Sequence, residues 1–195
     1  MLLTARRVAW ICERTGACVV GPPRRWRGLD GRRRLAWSVS FPSHAAKLKG
    51  LNLLARIDSR CDPRLREVAV EVASHAAPGR LALAKFCHAF VQACVRFTGE
   101  ARETFASAYD TIRTGVGDCD DSAEALCALW MAVGFQARVV GLGRTEYPTH
   151  AAAQVNLGTR DRPRWVWGET TIAARFGEHP YVAKARLGTR GRGDI

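Results

Sequence analysis

A chain of 195 residues, 47% hydrophobic and 25% charged, can bury a real core and lies near the globular average, which excludes wholesale disorder and any dependence on disulfides for stability. The formal charge of +12 comes almost wholly from arginine, because Lys47, Lys49, Lys85 and Lys184 are the only lysines. This bias reads as a solvated basic surface with weak, nonspecific affinity for polyanions, and no segment interleaves aromatic and basic residues as a single-strand binder does.

Seven cysteines form an odd set with no CxxC pair and no zinc-like spacing, so reduced thiols in a cytoplasmic setting are expected, with no metal and no cofactor. Arginines interrupt the first apolar run, "MLLTARRVAWICERTG", so neither a signal peptide nor a membrane span is expected. Residues 1–60 read as a β-rich extension and linker. In "LAWSVSF" the residues Leu35, Trp37, Val39 and Phe41 share one side of a strand, which predicts a hairpin or a strand added to the main sheet. "GPPRRWRGLDGRRR" reads as a loop and "PSHAAKLKG" as the linker.

Residues 61–182 read as the main domain. Asp62 caps and Pro63 opens one helix, which ends near Gly79. A second helix is predicted to bury Leu83, Phe86, Cys87, Phe90, Cys94 and Val95, leaving His88 at a boundary. A third runs from about Asp118 to Val133, with Cys119, Ala123, Leu126, Trp130 and Val133 in its apolar stripe and Cys127 as packing. "FQARVVGLG" reads as a buried strand, followed by strands in "HAAAQVNL" and "RWVWGETTI". Residues 183–195 form a basic tail expected to be mobile. Helices followed by strands indicate an α+β fold, with N-terminal helices packed on a mostly antiparallel sheet.

Cys119 opens its helix, where backbone N–H groups favour an anion and can hold an oxyanion, a sound position for acyl transfer by sulfur. Asp118 is expected to cap the helix, and Asp120, Asp121 and Glu124 to complement its dipole. A thiol nucleophile needs a base and an orienting group. If the last hairpin turns between Leu157 and Arg164, position 152 faces 169, and His150 and Glu169 become diagonal neighbours on one face. A one-residue slip would separate them. Trp165 and Trp167 alternate with Glu169 and serve either as a wall of the site or as core. His44, His75 and His179 show no partner pattern.

The segments "GVGDCDDSAEALCALWMAVGFQARVV", "HAAAQV" and "WVWGETT" together resemble the transglutaminase-like cysteine-enzyme superfamily over about Leu81 to Ile172. The resemblance implies a papain-like core with Cys119 as nucleophile, His150 as general acid/base and Glu169 as the orienting acid. It also implies a peptide or protein amide as substrate. The "GDCDD" form is similar to bacterial and phage members, more often assigned hydrolysis than cross-linking. Asp121 matches a family acidic position. Glu169 stands where the family usually has aspartate, and Ala106 stands where phage-type relatives often carry glutamine, which leaves the second oxyanion donor unassigned. Three readings follow: a thiol amide hydrolase or acyltransferase; a weak or inactive member with a structural role in an assembly such as a phage particle; and a basic nucleic-acid binder.

Overall fold

The computed structural model describes residues 5–22, 24–27, 33–36, 38–98, 106–143 and 149–183. The basic tail from residue 184 and Trp37 lie outside the described residues.

The chain opens with α1 (Ala5–Thr15), where short apolar pieces were expected. Its arginines do not break the helix, because Val8, Ile11 and Thr15 share the buried stripe while Arg6, Glu13 and Arg14 face solvent. Two short antiparallel ribbons follow, β1 (Cys18–Val19) with β4 (Val39–Ser40), and β2 (Arg24–Arg27) with β3 (Arg33–Ala36). The expected hairpin is therefore present but made of different strands, since part of the predicted loop is strand β2. Neither ribbon joins the main sheet among the described residues.

The expected linker is a helix, α2 (His44–Cys61), and the boundary drawn at residue 60 falls inside it. Pro42 and Ser43 mark its start: the Ser43 Oγ accepts from the Ala46 N–H at 3.1 Å. Leu51, Leu54, Ala55 and Asp58 then recur at helical spacing and are buried. Asp62 ends α2 and caps α3 (Pro63–His75), with Pro63 in the first turn as expected.

In α4 (Arg80–Cys94) the buried residues are Ala84, Cys87, His88 and Val91. The stripe is rotated from the predicted one: Phe86 is exposed, Phe90 and Cys94 are half-buried, and Cys87 and Val95 are inside. Periodicity alone favoured the larger phenylalanines, whereas packing against a central helix selects the smaller face. After β5 (Arg96–Phe97) come α5 (Ala108–Thr114) and β6 (Val116–Gly117), which pairs parallel with β5.

The central element is α6 (Cys119–Ala132), capped by Asp118 and closed at Gly134, whose φ is 90°. Every residue from Asp120 to Trp130 is buried, so this helix is enclosed on all sides rather than presenting a single stripe. Trp130 is fully buried and donates through Nε1 to the Ala84 carbonyl at 3.0 Å, which ties α6 to α4. Glu124 corrects the dipole assignment: it is fully buried, and its carboxylate oxygens have no hydrogen-bond partner among the described residues. Burial, then the nearby Asp58 and Asp121, push its carboxyl well above the usual range, which favours the protonated form.

Strands β7 (Ala137–Leu142), β8 (His150–Asn156) and β9 (Trp165–Gly168) form an antiparallel sheet with β8 in the middle. β7 is half-buried rather than buried, alternating from Ala137 inward to Arg138 outward. Its outer edge is covered by α2, where the Asn52 side chain donates to the Val139 carbonyl at 3.0 Å and accepts from the Val139 N–H at 2.9 Å, as a neighbouring strand would. Three successive alanines in β8, Ala151, Ala152 and Ala153, are buried. The small side chains of Ala151 and Ala153, which share the face of their ladder partner Gly168 on β9, let α6 lie close to the sheet; a Cβ at Gly168 would stand 2.4 Å from the Trp130 ring.

Candidate active site

The ladder pairs Ala153 with Gly168 and Gln154 with Trp167, so its continuation sets 152 opposite 169, the predicted register. Asn156 fixes it. Its Oδ1 accepts from the Gly158 and Arg164 N–H groups at 2.9 and 2.8 Å, and its Nδ2 donates to the Thr159 carbonyl at 3.0 Å. A Cβ on Gly158 would fall 2.2 Å from the Arg162 carbonyl oxygen, so the turn excludes any other residue there.

In that register His150 and Glu169 meet directly: Nε2 of His150 lies 2.5 Å from Oε2 of Glu169. The extra methylene of glutamate is thus accommodated. The other oxygen, Oε1, accepts from the Thr171 N–H and hydroxyl, both at 2.7 Å. Burial pushes the Glu169 carboxyl up, but the hydrogen bonds from His150 and Thr171 outweigh it and hold the group below the usual carboxylate range. Glu169 is therefore an anchored carboxylate, 1% exposed.

Two residues that the sequence did not assign to the site hold its backbone. His88, read as a boundary residue, is buried on α4 and lies 2.7 Å from the Glu169 carbonyl oxygen through Nε2. Burial lowers its pKa against the opposing effect of that hydrogen bond, and because a carbonyl oxygen only accepts, Nε2–H is the donor. Gln92, one turn on, donates to the carbonyls of Glu169, Ile172 and Ala174 at 3.2, 2.7 and 3.1 Å. The i, i+4 spacing of two polar residues on an apolar helix was the available signal.

Cys119 and His150 line one cavity of about 200 Å³, together with Asp118, Asp120, Ala151, His44 and Lys47. Among the described residues the Cys119 Sγ donates to Oδ1 of Asp120 at 3.8 Å and makes no hydrogen bond to His150. The imidazole reaches Glu169 through Nε2, which leaves Nδ1 as its second functional nitrogen. Burial and then Asp120 push the thiol pKa up to about 12, with Asp118 adding to the rise, while the Ala151 N–H and Lys47 act in the opposite direction. Asp120 thus faces the thiol as well as complementing the helix dipole. Its other oxygen forms an ion pair with Lys47 of α2. Lys47 and His44 sat in the presumed linker, and only the Ser43 cap signalled that they begin a helix.

Asp118 behaves as expected, its Oδ1 accepting from the Asp120 and Asp121 N–H groups at 2.8 and 3.1 Å. This corrects the idea that these amides are open to an oxyanion, since two of them are occupied by the cap. Asp121 is buried and accepts from the Ala106 N–H at 3.3 Å, so its position is structural. Trp165 and Trp167 do not line the cavity. Arg138 stacks over Trp165 at 4.1 Å, and Trp167 meets His179 edge-on at 4.8 Å, which gives His179 a partner. Cys127 is buried, and all seven cysteines are free. Among the described residues no group of three or more His, Cys, Asp or Glu is arranged to hold a metal, and no helix is long and apolar enough to cross a membrane.

No curated protein matches the sequence significantly. Two solved structures are similar. One is a candidate cysteine protease from Cytophaga hutchinsonii, 14% identical over 80% of this chain and 66% of its own, with a TM-score of 0.48. The other is a candidate protease from Parabacteroides distasonis, 12% identical over 84% of this chain and 39% of its own, with a TM-score of 0.50. This chain therefore spans less than two thirds of either, and at 12% identity the second likeness bears on the fold alone. The core of the transglutaminase-like superfamily matches residues 66–169, which hold Cys119, His150 and Glu169 in the expected order, and the chain belongs to that superfamily.

Proposed function

We propose that this protein is a thiol amide hydrolase or acyltransferase acting on a peptide bond or side-chain amide, with Cys119 as nucleophile, His150 as general acid/base and Glu169 as the group that orients the imidazole. The observation that carries this reading is the buried Glu169 carboxylate held 2.5 Å from His150 Nε2, on a ring that shares its cavity with the thiol. A hydrogen-bonded carboxylate fixes the ring and stabilises the imidazolium that forms when Nδ1 takes the sulfur proton.

The sulfur attacks the carbonyl carbon, and the oxyanion is met by the Cys119 amide, with His44 and Lys47 as further donors on the same wall. Imidazolium returns its proton to the departing amine, leaving a thioester on Cys119. Water or a second amine attacks the thioester with His150 again taking a proton, so hydrolysis and transamidation differ only in the acceptor.

The opposing reading, a weak or inactive member with a binding role, is favoured by one observation: the resting thiol is hydrogen-bonded to Asp120 and its pKa is pushed up to about 12. Turnover of an unbiased mixture of N-acyl peptide amides, with and without a primary amine, separates the two. The hydrolase reading expects cleavage or amine incorporation that vanishes in Cys119→Ala; no turnover in the wild-type protein supports the other, and turnover surviving that substitution removes Cys119 as the nucleophile.

A further inference from the structure

Beside the Cys119 cavity lies a second one of about 380 Å³. The two share His44 and Lys47 as wall residues, so they are neighbouring parts of one cleft. The second is floored by Val39 and Phe41 and rimmed by Pro42, Ser40 and Ser43, and its lining is more apolar than the mixed lining of the first.

The floor is firmly built. Phe41 lies against the backbone of α2 at Gly50, where a Cβ would fall 2.7 Å from its ring. Val39 is 9% exposed and held by the β1–β4 ribbon, and Ser43 fixes the following turn by capping α2. Phosphate or sugar gains nothing from such a surface. Lys47 at the junction already pairs with Asp120, so the cleft does not present it as an uncompensated cation to a polyanion. An aliphatic side chain is the occupant this chemistry suits. An extended peptide advances about 3.3 Å per residue, so a side chain seated here belongs within a residue or two of a carbonyl held at Cys119. Residues 39–47 precede the superfamily core at 66–169, so this selectivity belongs to the chain's own N-terminal part.

We infer that the second cavity is the side-chain subsite of the Cys119 centre and takes a leucine-like aliphatic residue of an extended peptide beside the attacked carbonyl. The inference rests on the thiol hydrolase or acyltransferase reading above and adds the substrate class.

The test uses acetyl-leucyl and acetyl-glycyl chloromethyl ketones, which lose chloride as a carbon–sulfur bond forms, with labelling of Cys119 followed by peptide mass spectrometry. The leucyl probe is expected to react about tenfold faster than the glycyl probe, the scale of discrimination for a few methylenes in an apolar pocket. Phe41→Ser should bring the ratio towards one. Should that variant fail to fold, Pro42→Glu, which puts charge on an exposed rim position, should do the same. Chloroacetamide reports the thiol alone. Cys119 inert to chloroacetamide and to both ketones overturns the thiol enzyme reading and this one with it. Cys119 reactive to chloroacetamide with a leucyl-to-glycyl ratio near one, or a full ratio surviving in Pro42→Glu, overturns the subsite alone.

Discussion

The segment from α3 to β9 and the segment from α1 to α2 contribute different things to one cleft. The first supplies Cys119, His150 and Glu169, and fixes them with a cap, a ladder register and an anchored carboxylate. The second supplies Lys47, His44 and the apolar floor, and joins the core through Asn52 on β7 and Asp58 under α5. Groups proposed to react together must come within hydrogen-bonding reach and so belong on rigid central elements, whereas a cleft wall can be built from a helix and ribbon laid over them.

The sharpest way to break this division is to remove the proposed acid/base. His150→Ala should lower acyl transfer about 100- to 10,000-fold, the usual contribution of general acid–base catalysis, while costing only about 1–3 kcal/mol of stability through the buried Glu169 carboxylate it leaves one donor short. Removing a core contact in the same segment should do the reverse. Trp130→Ala should cost about 3–5 kcal/mol, because it empties a fully buried site and leaves the Ala84 carbonyl without its donor; denaturant titration measures it. Gly168→Ala should cost about 1–3 kcal/mol through the clash with Trp130 and also lower activity by displacing Glu169.

Two buried carboxylates, one from each segment, should also respond to pH with opposite sign. Burial raises the Asp58 pKa to about 6, so the folded state binds a proton more readily than the unfolded chain, and stability from this group falls as pH rises from about 4 through 6. Glu169 is held below its usual value, so its contribution is present above about pH 4 and is lost as pH falls through its folded pKa. Asp58→Asn and Glu169→Gln should each remove one limb from a plot of melting temperature against pH. The smallest expected effect couples the segments: Asp120→Asn should lower the Cys119 thiol pKa and Lys47→Met should raise it, read from thiolate absorbance against pH.

The same division describes how much the sequence reveals. In the core segment the Asp62–Pro63 and Asp118 caps, Gly134, and the spacing that pairs 152 with 169 are all local signals, and the structure follows each. His88 and Gln92 were missed because their partners are main-chain carbonyls about eighty residues away, and their i, i+4 spacing marks a shared helix face but not what that face holds. In the first segment, arginines and glycines suggested loops. Arg7, read as interrupting an apolar run, reaches Asp58, and Gly50, at the end of the presumed linker, is required by the Phe41 ring, so both are tertiary contacts within helices. Glu124 was assigned to the helix dipole by its charge, and only the enclosure of α6 on every side shows that it is buried.

The central claim is that His150, oriented by Glu169, activates Cys119 for acyl transfer. The most direct measurement is acylation by p-nitrophenyl acetate at neutral pH, following p-nitrophenolate release and locating the acetyl group by peptide mass spectrometry. The account predicts a burst with one acetyl on Cys119, absent in Cys119→Ala and slowed at least about 100-fold in His150→Ala. Acetyl spread over the exposed Cys18 and Cys61 without preference for Cys119, at a rate indifferent to His150, would contradict it.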